Sequence, residues 1–164
     1  MKLLAQRVAS AEVRVKGRSV AAIEGGLLVF VGLEKGDDAS LAEEAARKIV
    51  GLRVFEDEGG KMNRSVVDVG GSVLVVSQFT LAADLSRGRR PGFERALPPA
   101  EAEPLYEYFV GVLAMLGPAV QKGVFGAMMD VSLVNAGPAT FWIDLPPPGP
   151  SHGGAQGRSF REDS

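Results

Sequence analysis

Cysteine is absent from the 164 residues, and histidine occurs once, as His152. The first absence removes disulfides, thiolate metal sites and cysteine nucleophiles together, and it fits a reducing compartment. The second removes the commonest general base. His152 stands in a Gly-rich terminal stretch with no rigid scaffold around it, so neither a Ser-His-Asp triad nor a His-based metal site is expected. No Gly-rich loop of the Walker type is present, and Gly25-Gly26 and Gly70-Gly71 read as turns. No apolar run approaches the roughly 20 residues needed to span a bilayer. Met1–Arg7 carries charge with no long apolar stretch behind it, so no secretory signal is expected. With a formal net charge of −2 there is no general basic coat, and any RNA contact must come from a local cluster of Lys and Arg. Whatever chemistry the chain performs must therefore run on hydroxyls, backbone amides, carboxylates or the substrate itself, and no cofactor or metal is expected.

What is present suits one globular domain, with 46% hydrophobic and 23% charged residues. Alternation over 3–15 predicts a strand, Lys16–Ser19 a turn, and Val20–Ile23 the second arm of a hairpin. Leu27–Leu33 is a continuous apolar run bounded by glycines, which predicts a strand buried on both faces. The period then changes. Leu41, Ala45, Ile49 and Leu52 share a helical face, with Asp37 and Ser40 as candidate N-caps. A turn at Glu56–Gly60 precedes a strong strand at Ser72–Phe79. Residues 80–100 read as a long loop, and Leu105–Leu116 as a second amphipathic helix stopped by Gly117-Pro118. Two final strands, Met128–Val134 and Thr140–Leu145, are joined by Asn135–Ala139. Six to eight strands with two main helices predict a mixed α/β domain in a layered β/α/β packing over 1–145. Residues 146–164, rich in Pro and Gly, are expected to be a disordered tail.

Three segments bear on chemistry. Ser77-Gln78-Phe79-Thr80-Leu81 sets two hydroxyls and an amide where a chain leaves a sheet, a common site position. Taken alone it reads more readily as a polar strand end with Thr80 capping the loop. Asn135–Thr140 holds a Gly-Pro step between apolar strands, which alone reads as a hairpin loop. Arg87, Arg89 and Arg90 stand together in an otherwise acidic chain, either to hold phosphates or as a solvated basic loop.

Taken in order, these segments resemble the D-aminoacyl-tRNA deacylase family of bacteria and eukaryotes. Gln6-Arg7-Val8, Gly26–Val29, Phe55–Asn63, Val75–Asp84, Gly88–Pro91, Ala102–Tyr106, Val131–Asn135, Gly137-Pro138 and Thr140 all follow the family pattern. They cover about residues 1–145 without large gaps.

The resemblance implies a cytoplasmic homodimer with its two active sites at the subunit interface and an aminoacylated tRNA as partner, with no membrane attachment. Gln78, Phe79 and Thr80 would form the catalytic segment, and Ser77, Phe125 and Met129 would bind the 3′-terminal adenosine. The Gly137-Pro138 bond would be cis and would reach into the partner's site as a chirality gate braced by Arg7, so that D-amino acids and glycine pass. Glycyl-tRNA(Ala) is then a further substrate. The ribose 2′-hydroxyl would assist catalysis, ranked ahead of Thr80 as nucleophile. Ala136, Ala139, Met128 and Gly92 depart from the family pattern. Rival readings are a same-fold enzyme editing mischarged L-aminoacyl-tRNA, a non-catalytic tRNA-binding module, and a small-molecule esterase.

Overall fold

The computed structural model of the chain describes residues 1–86 and 88–147. Eight strands and two α-helices follow in the order β1 (Lys2–Val15), β2 (Arg18–Ile23), β3 (Gly26–Gly32), α1 (Ala39–Gly51), β4 (Phe55–Glu56), β5 (Met62–Arg64), β6 (Ser72–Ser77), α2 (Pro99–Met115), β7 (Ala119–Lys122) and β8 (Asp130–Asp144). A short 3-10 turn, Phe79–Ala82, lies between β6 and α2.

The apolar runs explain the centre of the sheet. β3 and β6 pair in parallel, from Gly26 opposite Ser72 to Val31 opposite Ser77, and β7 continues in parallel beside β6. Each parallel step needs a crossover, supplied by α1 and then by α2. Both helices cover one face, where Leu27, Val29, Val73 and Val75 meet Ala42, Ile49, Phe109 and Leu113 in the larger core. The opposite face presents Leu28, Leu74 and Val76, and among the described residues no helix covers it. The far halves of β1 and β8 curl over it instead, bringing Val8, Val13, Val131 and Leu133 into a second core. The class is mixed α/β with two helices, as expected, and the sheet is barrel-like.

Local chemistry differs from expectation in three places. α1 is capped by Asp38, whose carboxylate accepts the Leu41 N–H at 2.9 Å. Asp37 instead accepts the Met1 ammonium and the Glu34 N–H, both at 2.7 Å, and Ser40 lies inside the helix. α2 starts at Pro99, because proline suits a first helical turn that has no N–H bond to lose. The strong strand ends at Ser77, where Gln78 turns the chain into the 3-10 turn.

The largest difference concerns the C-terminal strands, which are not a hairpin. β8 is one strand that runs antiparallel to β1 along nearly its whole length. Gln6 pairs with Thr140 and Val8 with Asn135, so the four residues 136–139 stand opposite Arg7 alone. The excess is forced out as a wide bulge with Gly137-Pro138 at its tip. Leu145 then closes the domain, its N–H donating to the Met1 carbonyl at 2.9 Å. The tail expected beyond it, including His152, lies outside the described residues from 148 onward.

Candidate active site

Parallel strands end together, and the loops that leave their carboxyl ends surround a common crevice. β3, β6 and β7 follow this rule. A cavity of about 510 Å3 opens beyond Val31, Ser77 and Lys122, walled by Leu33, Ser77–Thr80 and Phe125–Met129, with Ala102 and Tyr106 of α2 behind. The expected site residues Ser77, Gln78, Phe79, Thr80, Phe125 and Met129 all line it.

Close backbone approach puts the 3-10 turn there. The Gln78 N–H continues the β3 ladder by donating to the Val31 carbonyl at 2.7 Å, and the chain then folds back over the end of β3. Gly32 makes this possible: a Cβ there would lie 2.7 Å from the Leu81 Cβ and 3.0 Å from the Gln78 carbonyl oxygen. The turn closes through Leu81 to Gln78 and Ala83 to Thr80, both at 3.2 Å. Phe79 and Thr80 head it, the position at which a helical turn leaves its leading amides without an internal partner. Both residues line the cavity. At Gly123 a Cβ would stand 2.7 Å from the Met129 sulfur, in the outer part of a flexible side chain that can move aside. The role of Gly32 was not visible in the sequence, where it reads only as part of a continuous apolar run.

The cavity's chemistry is sparse. Among the described residues no charged side chain lines it. The Gln78 side-chain amide donates to the Thr80 hydroxyl, and an amide is no base at neutral pH, so the hydroxyl has nothing to take its proton. The Tyr106 hydroxyl donates to the buried Val75 carbonyl at 3.0 Å, and its ring packs against Phe125 with centroids 5.7 Å apart. Burial, and to a lesser degree the Glu107 charge, push the Tyr106 phenol well above its ordinary range, so it holds the wall rather than moving protons.

The bulge lies elsewhere. Gly137-Pro138 is cis, and Arg7, 9% exposed, runs beneath it. Its Nε donates to the Ala136 carbonyl at 2.8 Å and one terminal nitrogen donates to the Val54 carbonyl at 2.6 Å. Gly137 has φ 137°, and a Cβ there would meet the other Arg7 nitrogen at 2.7 Å, so conformation and space both demand glycine. Asn135 straps the neck: its carbonyl accepts the Ala139 N–H at 2.9 Å and its amide donates to the Ala139 carbonyl at 3.2 Å. Asn135 was quoted in the sequence only as part of a motif; asparagine before a Gly-Pro bulge was the signal. Arg7 and Ala136 line a second cavity of about 480 Å3, walled also by Phe55, Gly25-Gly26 and Gly70–Ser72, which shares no residue with the first.

The departures from the family pattern fall where the backbone does the work. Ala136 offers its carbonyl, Ala139 is held through its backbone, and Met128 is 92% exposed at the cavity rim. Gly92 exchanges two backbone bonds with Asp84, at 2.8 and 2.9 Å, and a Cβ would fit there in ordinary contact. That pair closes the neck of the loop carrying Arg89 and Arg90, both exposed and lining neither cavity. Arg87 lies outside the described residues.

A family model described as D-Tyr-tRNA(Tyr) deacylase matches residues 4–144. The D-aminoacyl-tRNA deacylase of Thermomicrobium roseum is 57% identical over 144 residues, covering 88% of this chain and 94% of the relative. That of Geotalea uraniireducens is 56% identical over 146 residues, covering 89% and 94%. Among solved structures, one titled c-Myc DNA unwinding element binding protein superposes with a TM-score of 0.85 at 40% identity, covering 89% of this chain and 99% of that one. A probable eukaryotic D-amino acid tRNA deacylase shares the fold, with a TM-score of 0.75 at 15% identity over 88% of this chain and 98% of that one. The chain belongs to the D-Tyr-tRNA(Tyr) deacylase family, a family of D-aminoacyl-tRNA hydrolases.

Proposed function

We propose that the chain hydrolyses the ester of D-aminoacyl-tRNA in the cytoplasm, and that of glycine misplaced on tRNA(Ala), as a homodimer in which each bulge gates its partner's cavity. The carrying observation is the uncharged cavity with two leading amides at its wall. An aminoacyl ester is already activated, so positioning it beside water is much of the task. The amides of Phe79 and Thr80 stabilise the oxyanion, each such donor contributing roughly 2.7–4 kcal/mol in other enzymes. With no protein base at the cavity, the 2′-hydroxyl of the terminal ribose assists the attack. Ser77, Phe125 and Met129 enclose the adenosine, and Arg89 and Arg90 meet phosphates of the incoming strand.

The dimer answers two features. The Gly137-Pro138 bulge shares no cavity with Ser77–Thr80 of its own chain, so it reaches such a site only in a second copy. Phe79 at 59%, Val134 at 56% and Trp142 at 51% exposure, together with Met128, leave apolar surface around the cavity rim and along β8 that a second copy covers. Once there, the bulge occupies the space an L side chain needs.

The test is hydrolysis of purified D-tyrosyl-tRNA and L-tyrosyl-tRNA at matched enzyme concentration. Rapid loss of the D-ester with the L-ester spared supports the activity and the gate. Equal loss of both removes the gate, and loss of neither leaves a tRNA-binding module.

A further inference from the structure

The gate depends on Arg7, yet Arg7 hydrogen-bonds the bulge through only its Nε. What holds the guanidinium in place is the small two-stranded sheet of β4 and β5, which belongs to neither the main sheet nor the catalytic cavity. The Val54 carbonyl, one residue before β4, accepts from one Arg7 terminal nitrogen at 2.6 Å, and the Glu56 carboxylate stands 4.0 Å from the other. Both contacts belong to the strand side of the hairpin. Val54 is also anchored in the main core, whereas Glu56 lies in the strand that pairs with β5, opposite Met62.

One side chain enforces that pairing. A single carboxylate oxygen of Asp57 accepts the Gly59 N–H at 2.9 Å and the Lys61 N–H at 3.0 Å, and the other oxygen accepts from the Asn63 amide at 3.3 Å. The Asp57 N–H donates to the Lys61 carbonyl at 2.8 Å, and Gly60 takes the left-handed conformation (φ 74°) that the tight return needs. So short a hairpin has little core of its own and holds its shape through these bonds.

We infer that Asp57 is a positioning residue for stereochemical selection: by locking the β4–β5 hairpin it fixes Val54 and Glu56 around Arg7, and through Arg7 the carbonyl that precedes Gly137-Pro138. The inference rests on the gate reading above and extends it to a residue that touches neither cavity. Its effect falls on the L-ester, because a loosened bulge yields space to the L side chain while the amides of Phe79 and Thr80 stay where β3 and β6 put them.

The experiment compares the wild type with Asp57→Ala, Asp57→Asn, Asn63→Ala and Arg7→Lys, each assayed on D- and L-tyrosyl-tRNA in single turnover and each melted to verify folding. For Asp57→Ala the expected result is roughly a tenfold rise in L-ester hydrolysis, the size of effect that losing one or two positioning hydrogen bonds allows, with D-ester hydrolysis within about twofold of wild type. Asp57→Asn keeps the oxygen that receives two of the three bonds and restores most of the discrimination, which a purely charge-based role does not predict. Asn63→Ala gives a smaller loss in the same direction. Because Asp57 acts through Arg7, adding Asp57→Ala to Arg7→Lys raises L-ester hydrolysis no further than Arg7→Lys alone. Folded Asp57→Ala that still spares the L-ester while Arg7→Lys does not overturns the inference and leaves the gate intact. Additive effects in the double variant also overturn it. A wild type that does not discriminate overturns the gate and the inference together.

Discussion

The cavity beside Ser77–Thr80 and the cavity beside Arg7 are built on opposite principles. The first is a hollow at the carboxyl end of three parallel strands, and its shape follows from buried apolar packing and from Gly32, which permits close approach. The second flanks a protrusion, four residues pushed out of a β-ladder and held by polar contacts from Arg7 and Asn135. A hollow set by packing resists deformation, because interiors are close-packed and every shift is felt by many neighbours. A protrusion set by a handful of hydrogen bonds is adjustable one bond at a time. The division separates a pocket placed by the strands that end beneath it from a protrusion that hangs on a few named groups.

The sharpest way to break the comparison is to damage the hollow without touching the protrusion. Gly32→Val places side-chain carbon where the Leu81 Cβ would be 2.7 Å away, and the 3-10 turn must move. A shift of about 1 Å at a positioned donor is expected to lower D-ester hydrolysis by roughly 100-fold or more, with the D/L ratio little altered. Single-turnover hydrolysis with circular dichroism as the folding control measures this. The opposite damage is Arg7→Ala, which leaves the Ala136 and Val54 carbonyls without their donor, at a cost of about 1–3 kcal/mol for each buried group. Here the expected loss is in discrimination: L-ester hydrolysis rises by roughly 10- to 100-fold, as that energy range implies, while D-ester hydrolysis changes far less. If the two variants lose the same quantity, the division of labour is wrong.

Sequence and structure agree most where local signals suffice. The runs Leu27–Val31 and Val73–Val76 announce doubly buried strands, and the period of Leu41, Ala45 and Ile49 announces α1. The site segment was legible as a strand end rich in polar groups, and its company at the cavity through the family resemblance. β8 was not legible as one strand, because what makes it one is its pairing with β1, some 130 residues away, and Asn135–Ala139 viewed locally reads as a turn. β7 was missed for a related reason: Ala119–Lys122 carries too few apolar residues to show a period, and its place is decided by β6 beside it. Pro98-Pro99 reads as loop, yet Pro99 heads α2. Asp38 lost to Asp37 and Ser40 as the expected cap, since nothing local tells that Asp37 is occupied by Met1 and Glu34.

Smaller effects sharpen the account of the hollow. Thr80→Val removes a hydroxyl that accepts from Gln78 and has no base to activate it, so D-ester hydrolysis is expected to fall by less than about tenfold, the modest loss of a group that is not the nucleophile. Complete loss with substrate still bound would restore Thr80 as the nucleophile. Tyr106→Phe removes one of two donors to the buried Val75 carbonyl, leaving the Gly123 N–H at 2.9 Å, and is expected to cost about 0.5–1.5 kcal/mol in denaturant unfolding, while the pH profile of hydrolysis stays in place. A shifted profile would make Tyr106 a proton carrier after all.

The smallest effect concerns pH and separates the two regions once more. Asp57 has its carboxyl held below the ordinary carboxylate range, chiefly by the Lys61 amide; partial loss of hydration opposes this, and the Gly59 amide and Asn63 add to the lowering. A group whose folded pKa is depressed contributes stability that is fully present above its unfolded pKa, about 3.9 for aspartate, and is lost as pH falls through the folded value. The hairpin is therefore intact at neutral pH and loosens only in acid, below about pH 4. Hydrolysis of the L-ester, measured relative to the D-ester from pH 7 downward, is expected to stay low and flat and to rise only at that acid end. In Asp57→Asn the group does not titrate, so the rise disappears while the D-ester profile is unchanged. An L-ester rise centred nearer neutrality would place the controlling group elsewhere, and the tether of the protrusion would have to be sought among groups other than Asp57.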